Sequence, residues 1–406
     1  MKPVVACSPF LLCFLCGVAR ADLEPFSFGA SEALAHESNL NHTDDANRIS
    51  GWYSTTELRA ALNQAIGRER LTGSAAVNYT GYRDQSQRDS FGYRGAVGLD
   101  WSTVGDLSGS LGADSSRHQY NYGFDEGLGT STGKNLETDN HVFAKASVGG
   151  PSRWNIFAGF DANQRKFSAD TFALNNERQW SQSLGTTYST SPDLSFGVTG
   201  SYTRGEYPNY VTGPSNFNSK SLSGTTKLQA TGNSAFDASL GYTVANSDIQ
   251  PTLRFVSGAL NWKWTPPSHF SVNLGVSRST DGGAAAGNIS TLNDRSLNTS
   301  ANLSVSYELT AKINLVANGL YTHRKYSNVE LPVFDSNGTS LPTQAVSGSS
   351  NTSRFSLAAH YQPTRTTDLS CGGAREVRST PSGELTLITP SYTDNSVQCT
   401  ASITFD

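Results

Sequence analysis

The stretch Leu253–Val276, LRFVSGALNWKWTPPSHFSVNLGV, contains in one place the pattern that decides the fold. In its first half, apolar residues that end in Trp262 and Trp264 alternate with small or polar residues such as Asn261 and Lys263. A Pro-Pro-Ser turn follows, and the second half alternates in the same way. Since side chains on a strand point to its two faces in turn, the stretch predicts a hairpin whose arms have one apolar and one polar face.

The composition of the whole chain agrees with strands. Its 406 residues are 36% hydrophobic and include 38 Gly, 16 Tyr and 19 Phe but a single Met. A soluble chain of this length would normally divide into two or three domains, and we find no boundary in the sequence. The formal net charge of −4 disfavours nucleic-acid binding.

One long apolar run lies at the N-terminus. Lys2 precedes Phe10–Val18, and Ala19–Ala21 supplies small residues at the positions that signal peptidase reads. We therefore expect a secretory signal peptide over 1–21 and a single mature domain over 22–406. No mature segment has the 18 or so consecutive apolar residues of a spanning helix, so a membrane would have to be crossed by strands.

Connections between the expected strands alternate between short and long. Short connections are expected at 66–69, 104–106, 150–153, 191–193, 232–234, 266–268, 310–312 and 362–367. Long connections are expected near 38–49, 83–89, 121–139, 168–177, 206–219, 247–252, 279–294, 327–350 and 381–391. This alternation predicts an all-β fold, a transmembrane antiparallel up-and-down β-barrel of about 18 strands in the Gram-negative outer membrane. The short turns and both termini would then lie in the periplasm.

A soluble sandwich or propeller could show the same two-faced strands, but blade repeats and Greek-key spacing are missing. One strand fits a barrel badly. Glu32 falls on the apolar side of the first strand, between Phe28 and Leu34, where burial in lipid is costly. A bulge, or a first strand that begins inside the wall, would resolve this conflict.

The tryptophans lie on the apolar side of their strands and close to strand ends, which predicts anchors at the two membrane interfaces. The predicted anchors are Trp52, Trp101, Trp154, Trp180, Trp262 and Trp264. Sugar stacking is the competing role, for which Tyr120, Tyr122, Tyr207 and Tyr210, near the long loops, are better candidates. Packing within the loops is the favoured role of these tyrosines.

Charged residues on the polar side of the strands would line a wet lumen. They are Glu57, Arg59, Arg94, Asp100, Asp114, Lys145, Asp161, Lys227, Asp237, Lys263, Glu308, Glu376 and Arg378. Their mixed signs favour mutual pairing and solvation over a dedicated selectivity ring. A phosphate-selective pore is not indicated, because no long basic ladder is present.

Two cysteines, Cys371 and Cys399, follow the signal segment. A disulfide is the default for such a pair in an oxidising compartment. If the long loop 381–391 reverses the chain near residue 385, the two residues lie opposite each other on the last two strands. We expect a disulfide that staples the closing hairpin.

Nothing in the sequence indicates catalysis, a cofactor or a dedicated metal site. The seven His form no motif, and no serine has the surroundings of a hydrolase nucleophile. Asp44 and Asp45 beside His42 could bind a cation, although a solvated loop tip is favoured. We therefore expect a protein that is not an enzyme.

The opening segment PFSFGASEALAHESNLN, with Glu37, Asn39 and Leu40 at its outer end, resembles a known group. Strand ends such as GLDW at Gly98–Trp101 and NWKW at Asn261–Trp264 resemble it too. The group is the EpsL-like β-barrel porins encoded with exopolysaccharide synthesis clusters. The resemblance implies an outer-membrane barrel tied to polysaccharide export or assembly, with the polysaccharide and export-complex proteins as partners.

The chain ends in Phe405 and Asp406, whereas outer-membrane barrels usually end in an aromatic residue. Phe405 is expected to serve as the signal for the barrel assembly machinery, and outer-membrane lipid is the other expected partner. The sequence thus favours export or assembly of an extracellular polysaccharide. The alternatives are a general or oligosaccharide uptake porin and a structural or adhesive barrel.

Overall fold

The computed structural model describes residues 25–120, 134–149, 153–209, 213–248, 252–280, 296–334, 340–381 and 390–405. The expected signal segment 1–21 lies outside these ranges, and so do Tyr122, Tyr210 and Asp406. Within them, no helix is long and apolar enough to cross a membrane. Two short 3-10 helices, Ser86–Arg88 and Asp170–Asn175, lie in connections.

The chain forms eighteen strands. They are β1 Phe26–Glu37, β2 Gly51–Ile66, β3 Glu69–Tyr82, β4 Ser90–Ser102, β5 Leu107–Gln119, β6 Leu136–Val148, β7 Trp154–Phe167, β8 Glu177–Ser191, β9 Leu194–Tyr207, β10 Ser215–Thr231, β11 Ser234–Ser247, β12 Leu253–Trp264, β13 Phe270–Thr280, β14 Ser296–Thr310, β15 Ile313–Phe334, β16 Ser340–Tyr361, β17 Thr367–Ser379 and β18 Tyr392–Phe405.

Each strand pairs antiparallel with its neighbours in the sequence, and β1 also pairs with β18. The closing ladder runs from Phe28 opposite Phe405 to Glu37 opposite Ser396 without a register shift. The sheet is therefore closed and has no edge strand. This confirms the predicted up-and-down barrel of 18 strands.

The two faces of the sheet are distinguished by exposure. Large apolar side chains such as Leu222 and Leu240 are 61% and 66% exposed, whereas Ala76, Thr203 and Thr243 on the opposite, polar face are buried. Side chains crowd together on the concave side of a closed sheet and spread apart on the convex side. The polar face is therefore the inner face, and the apolar face is the outer one, as in a barrel that crosses lipid.

The hairpin at Leu253–Val276 has the predicted form. It folds as β12 and β13, with Trp262 opposite Leu274 on the outer face and Lys263 opposite Asn273 on the inner face. The turn between the strands occupies 265–269. Trp262 Nε1 also donates a 2.8 Å hydrogen bond to Oγ of Ser234 on the preceding strand.

One predicted long loop is wrong. The stretch 327–350 was expected as a loop, but β15 continues to Phe334 and β16 begins at Ser340. The ladder between them extends as far as Phe334 opposite Ser340, with two register shifts on the way. The two strands satisfy each other's backbone N–H and C=O groups by hydrogen bonding. They therefore continue as a two-stranded ribbon beyond the ends of β14 and β17.

The disulfide Cys371–Cys399 is present, as predicted. The two residues lie directly opposite each other on β17 and β18, with a Cα–Cα distance of 4.1 Å. Both lie on the outer face, beside the ladder that joins β18 to β1. The bond therefore staples the hairpin that closes the sheet.

The conflict at Glu32 is resolved in neither of the expected ways. The first strand is an ordinary part of the wall, and its ladders with β18 and β2 have no bulge. Glu32 therefore does lie on the outer face, where it is exposed and opposite Thr56. Its Oε2 accepts a hydrogen bond of 2.5 Å from Thr56 Oγ1. A local polar partner thus takes the place of a bulge.

We predict that replacing both Cys371 and Cys399 by serine lowers the free energy of unfolding. The bond closes a loop of 28 residues, for which chain entropy gives roughly 3.5 kcal/mol. Denaturant unfolding in micelles would measure the loss, and reduced wild-type protein should match the variant. Equal midpoints for the variant and the oxidised wild type would contradict the stapling role.

We also predict that Thr56→Val destabilises the barrel by about 1–3 kcal/mol, since it leaves the outward Glu32 carboxylate without its side-chain partner. The same substitution in a Glu32→Leu background should cost far less, because no carboxylate remains to be satisfied. Unfolding in lipid bilayers would test this double-mutant cycle. An equal cost in both backgrounds would show that the two side chains are not coupled.

Candidate lumen and mouth

The expected lumen charges all lie on the polar face by cross-strand register. For example, Lys227 is opposite Asp237, and that aspartate is opposite Asn261. Some of these charges pair across strands, such as Arg94 Nη2 with Glu57 Oε1 at 2.8 Å. The Arg94 side chain is 63% exposed, and the stabilisation from so open a pair is small. Mutual pairing and solvation of these residues in a wet lumen, favoured over a selectivity ring, stay a prediction.

An aromatic patch interrupts the polar inner face. Phe143 and Phe157 belong to that face, since they lie opposite Asp161 and Ser147 respectively. The ammonium group of Lys145 is 4.6 Å from the centre of the Phe157 ring, within the range of a cation–π contact. Phe157, an apolar residue on the polar face, therefore supports the lumen cation Lys145.

His141 lies between two carboxylates. Its Nδ1 is 2.8 Å from Asp114 Oδ1 and its Nε2 is 3.4 Å from Asp161 Oδ1. The three residues come from β5, β6 and β7, so no spacing along the chain brings them together. All three side chains point to the inner face of adjacent strands and lie within two residues of each other in register. That shared face and position is the signal that would have found them. The group gives the lumen wall a hydrogen-bonded acidic site.

The first long connection, 38–50, folds against the inner face at the end of the barrel where the long connections lie. Asn39 is fully buried, and its backbone N–H donates to Asp394 Oδ1 at 2.9 Å. Arg88 Nη2 donates to Asn41 Oδ1, and the His42 ring stacks on Tyr392 with centroids 4.7 Å apart. The connection is therefore a fixed part of the mouth.

Carboxylates surround His42. Ligand atoms of Glu37, His42 and Asp394 lie within 4.8 Å of one another and could hold a cation. Both acids already accept hydrogen bonds, Glu37 from Tyr53 and Asp394 from the first connection. The sequence suggested Asp44 and Asp45 as the partners of His42, but Asp44 instead accepts hydrogen bonds from Asn47.

A second cluster lies in the same end of the barrel. Arg165 Nε is 2.8 Å from Glu137 Oε1 and 3.3 Å from Asp139 Oδ1, and its Cα pairs with that of the buried Glu177 across β7 and β8. Beside it, the connection 168–176 places the buried Phe172 against Tyr120, with ring centroids 5.5 Å apart. A second connection thus also packs inward.

The tyrosines that were considered for sugar stacking are packed instead. Tyr120 and Tyr207 are 6% and 3% exposed, and Tyr207 lies against Phe217. The favoured role of loop packing is thus confirmed for Tyr120, which contacts Phe172 of a connection, whereas Tyr207 packs between two strands. The six tryptophans lie on the outer face by register, and Trp154 and Trp264 are 58% and 39% exposed. Their role as interface anchors stays a prediction.

The comparisons with known proteins support the fold. No protein-family model matches the sequence, and no curated protein sequence matches it. The structure is similar to that of OccK2 (OpdF) from Pseudomonas aeruginosa, with a TM-score of 0.50 and 12% identity over 94% of this chain and 97% of that chain. The outer membrane protein OpdK from the same organism gives a TM-score of 0.49 and 13% identity over 94% and 99%.

The siderophore receptor PirA from Pseudomonas aeruginosa gives a TM-score of 0.45 and 11% identity over 93% of this chain and 80% of that chain. At 12% identity, the likeness to OccK2 shows the barrel fold alone. The resemblance to the EpsL-like group gains no support from these comparisons and stays a prediction.

We predict that acidification loosens the first connection. Burial lowers the pKa of His42, an effect opposed by Glu376, Glu37 and Asp394. The folded mouth therefore holds His42 neutral, and the stability that it contributes above the unfolded pKa of about 6.5 is lost as the pH falls through that value. The protection factors of the amides of residues 38–50, which correct the exchange rates for the slower intrinsic exchange at low pH, should fall between about pH 7 and pH 5.

A His42→Gln variant should show less of this pH dependence, because the titrating group is gone. Equal protection factors at both pH values in the wild type would contradict the prediction.

Proposed function

We propose that the protein is an outer-membrane channel for the passive uptake of small polar solutes. The observation that carries this proposal is the closed sheet whose inner face is lined by polar and charged side chains. Barrels of 16–18 strands are wide enough to enclose water. An apolar outer face and a polar inner face together suit a channel through a membrane.

The solute class follows from the lining. Carboxylates at Asp114 and Asp161 and cations at Arg94 and Lys145 share the inner face. Because both positive and negative side chains line the lumen, neither cations nor anions are favoured as solutes. The ring of Phe157 offers a surface for the apolar face of a sugar or similar solute. We therefore expect neutral or zwitterionic polar solutes to pass at least as well as simple anions.

The mouth supports a limit on solute size. Solutes would enter past the first connection and past the connection 168–176, both of which are packed on the inner face. Export of a polysaccharide, the alternative indicated by the resemblance of the opening segment, would need these connections to move away from the path of the polymer. Uptake of small solutes needs no such rearrangement.

In the proposed orientation the long connections face the exterior and the short turns face the periplasm. Membrane lipid and the assembly machinery are proposed partners, and Phe405 is the proposed assembly signal. Its ring is exposed on the outer face at the closing ladder, opposite Phe28.

We predict an open current when the purified protein is reconstituted in planar bilayers. Replacing residues 41–48 by Gly-Gly should raise the conductance, because the connection packs in the mouth. The graft is suited to the fold, since the N–H of Leu40 already bonds to the carbonyl of Ile49 at 2.8 Å. Short oligosaccharides should block the current transiently.

A matched change at the opposite end, with Val104 and Asp106 of a short turn replaced by glycine, should leave the conductance unchanged. Absence of current from both the wild type and the shortened variant would reject a channel and favour a structural or adhesive barrel. Block by the cell's own long polysaccharide, with no effect of short oligosaccharides, would favour export instead.

A further inference from the structure

Positive charges recur on the outer face close to the long connections. Arg117 and Lys166 lie in one cross-strand row, joined through Thr138 of β6. Arg178 on β8 and Arg204 on β9 follow, opposite Gln164 and Trp180 respectively. The side chains of Lys166, Arg178 and Arg204 are exposed.

The series continues around the barrel. Lys220 on β10 and Arg254 on β12 lie in one row, joined through Val244. The outer faces of β13, β15 and β17 add Arg278, Lys325 and Arg375, all exposed. We call these nine residues, from Arg117 to Arg375, the basic arc. Because half of the strands contribute one member each, the arc follows the wall rather than a single loop.

The arc has little negative charge to neutralise it. Among strand residues from β5 to β17 whose side chains the structure describes, Glu206 is the carboxylate on this part of the outer face, with Oε1 3.6 Å from Arg178 Nη1. At the short-turn end, the outer face of the described strands carries rings such as Trp101, Trp154 and Trp264 in place of cations. Basic residues thus mark one of the two membrane interfaces.

A groove lies on the outer face within this arc. Its volume is about 780 Å³, and it runs across β6 to β10. Val142, Phe160 and Trp180 supply apolar surface, and Arg178, Arg204 and the carboxylate of Glu206 lie in the same lining. An apolar floor beside two guanidinium groups matches a molecule with an acyl chain and an anionic head.

We propose that the basic arc binds anionic, phosphate-bearing lipid headgroups, with the groove at Arg178 and Arg204 as its principal site. Guanidinium groups bind phosphate through paired hydrogen bonds, and cationic side chains at a membrane surface attract anionic lipid. An acyl chain would lie along the apolar floor while the phosphate contacts the arginines. In the proposed orientation the lipids belong to the outer leaflet.

The test uses the full-length protein in neutral detergent and diphosphorylated lipid A as the probe, with binding measured by native mass spectrometry. The double variant Arg178→Gln and Arg204→Gln should bind the probe about 30-fold more weakly, because each surface cation contributes about 1 kcal/mol and 1.4 kcal/mol corresponds to tenfold. Arg178→Lys with Arg204→Lys keeps the charge and should restore most of the binding.

The matched control is Lys227→Gln with Lys263→Gln, which removes the same charge from the inner face and should leave binding unchanged. An equal loss of lipid A binding in the two double variants would show that only the net charge of the protein matters, and it would overturn the proposal. Equal binding of phosphatidylcholine would do so too, since that headgroup has no net charge. Full displacement by millimolar inorganic phosphate would assign the site to free phosphate and not to lipid.

Bilayer conductance of the Arg178 and Arg204 variant separates this proposal from the channel proposal. The current should match that of the wild type, because both side chains face away from the lumen. Loss of lipid binding with normal current supports the arc, whereas normal lipid binding in the variant rejects the arc whatever the current shows.

Discussion

The hydrogen-bonded ladder between β1 and β18 is the constraint on which the rest of the structure depends. Without it, two strands would present unpaired N–H and C=O groups, and each such group in hydrocarbon costs several kcal/mol, on the order of a lost hydrogen bond or more. The ladder runs unbroken from Phe28 to Glu37. The disulfide Cys371–Cys399 then fixes the strand on the other side of β18. Closure of the sheet creates an inner and an outer face. The alternation of side chains along each strand makes the inner face polar and the outer face apolar.

Closure also explains the exceptions on each face. Because Glu32 is held by ladders on both sides, it cannot leave the outer face and is matched by Thr56 instead. Phe157 is held in the lumen for the same reason and supports Lys145 there. A regular sheet thus accepts a residue of the wrong polarity where a neighbour on the same face offers a suitable contact.

How far the sequence predicted the molecule depends on how local the controlling pattern is. Period-2 alternation and turn residues are local, and they were enough for the eighteen strands, the hairpin at Leu253–Val276 and the face of each residue. Pairing of Cys371 with Cys399 followed from the position of one loop. The mouth was not predictable in this way. His42 meets Asp394, and Arg165 meets Glu137, through contacts between distant parts of the chain. The ribbon of β15 and β16 was missed although Val329, Leu331 and Val333 alternate with Glu330 and Pro332, because a proline inside such a run argues against a paired strand.

The central claim is that the polar face of a closed sheet encloses water while the apolar face contacts lipid. Single cysteines along β12, at Asn261 and Lys263 on one face and at Leu260 and Trp262 on the other, test it most directly in protein reconstituted in liposomes. A membrane-impermeant thiol reagent should label positions 261 and 263, and a lipid-borne quencher should reach fluorophores attached at 260 and 262. Labelling in the opposite order, or at all four positions alike, would contradict the account.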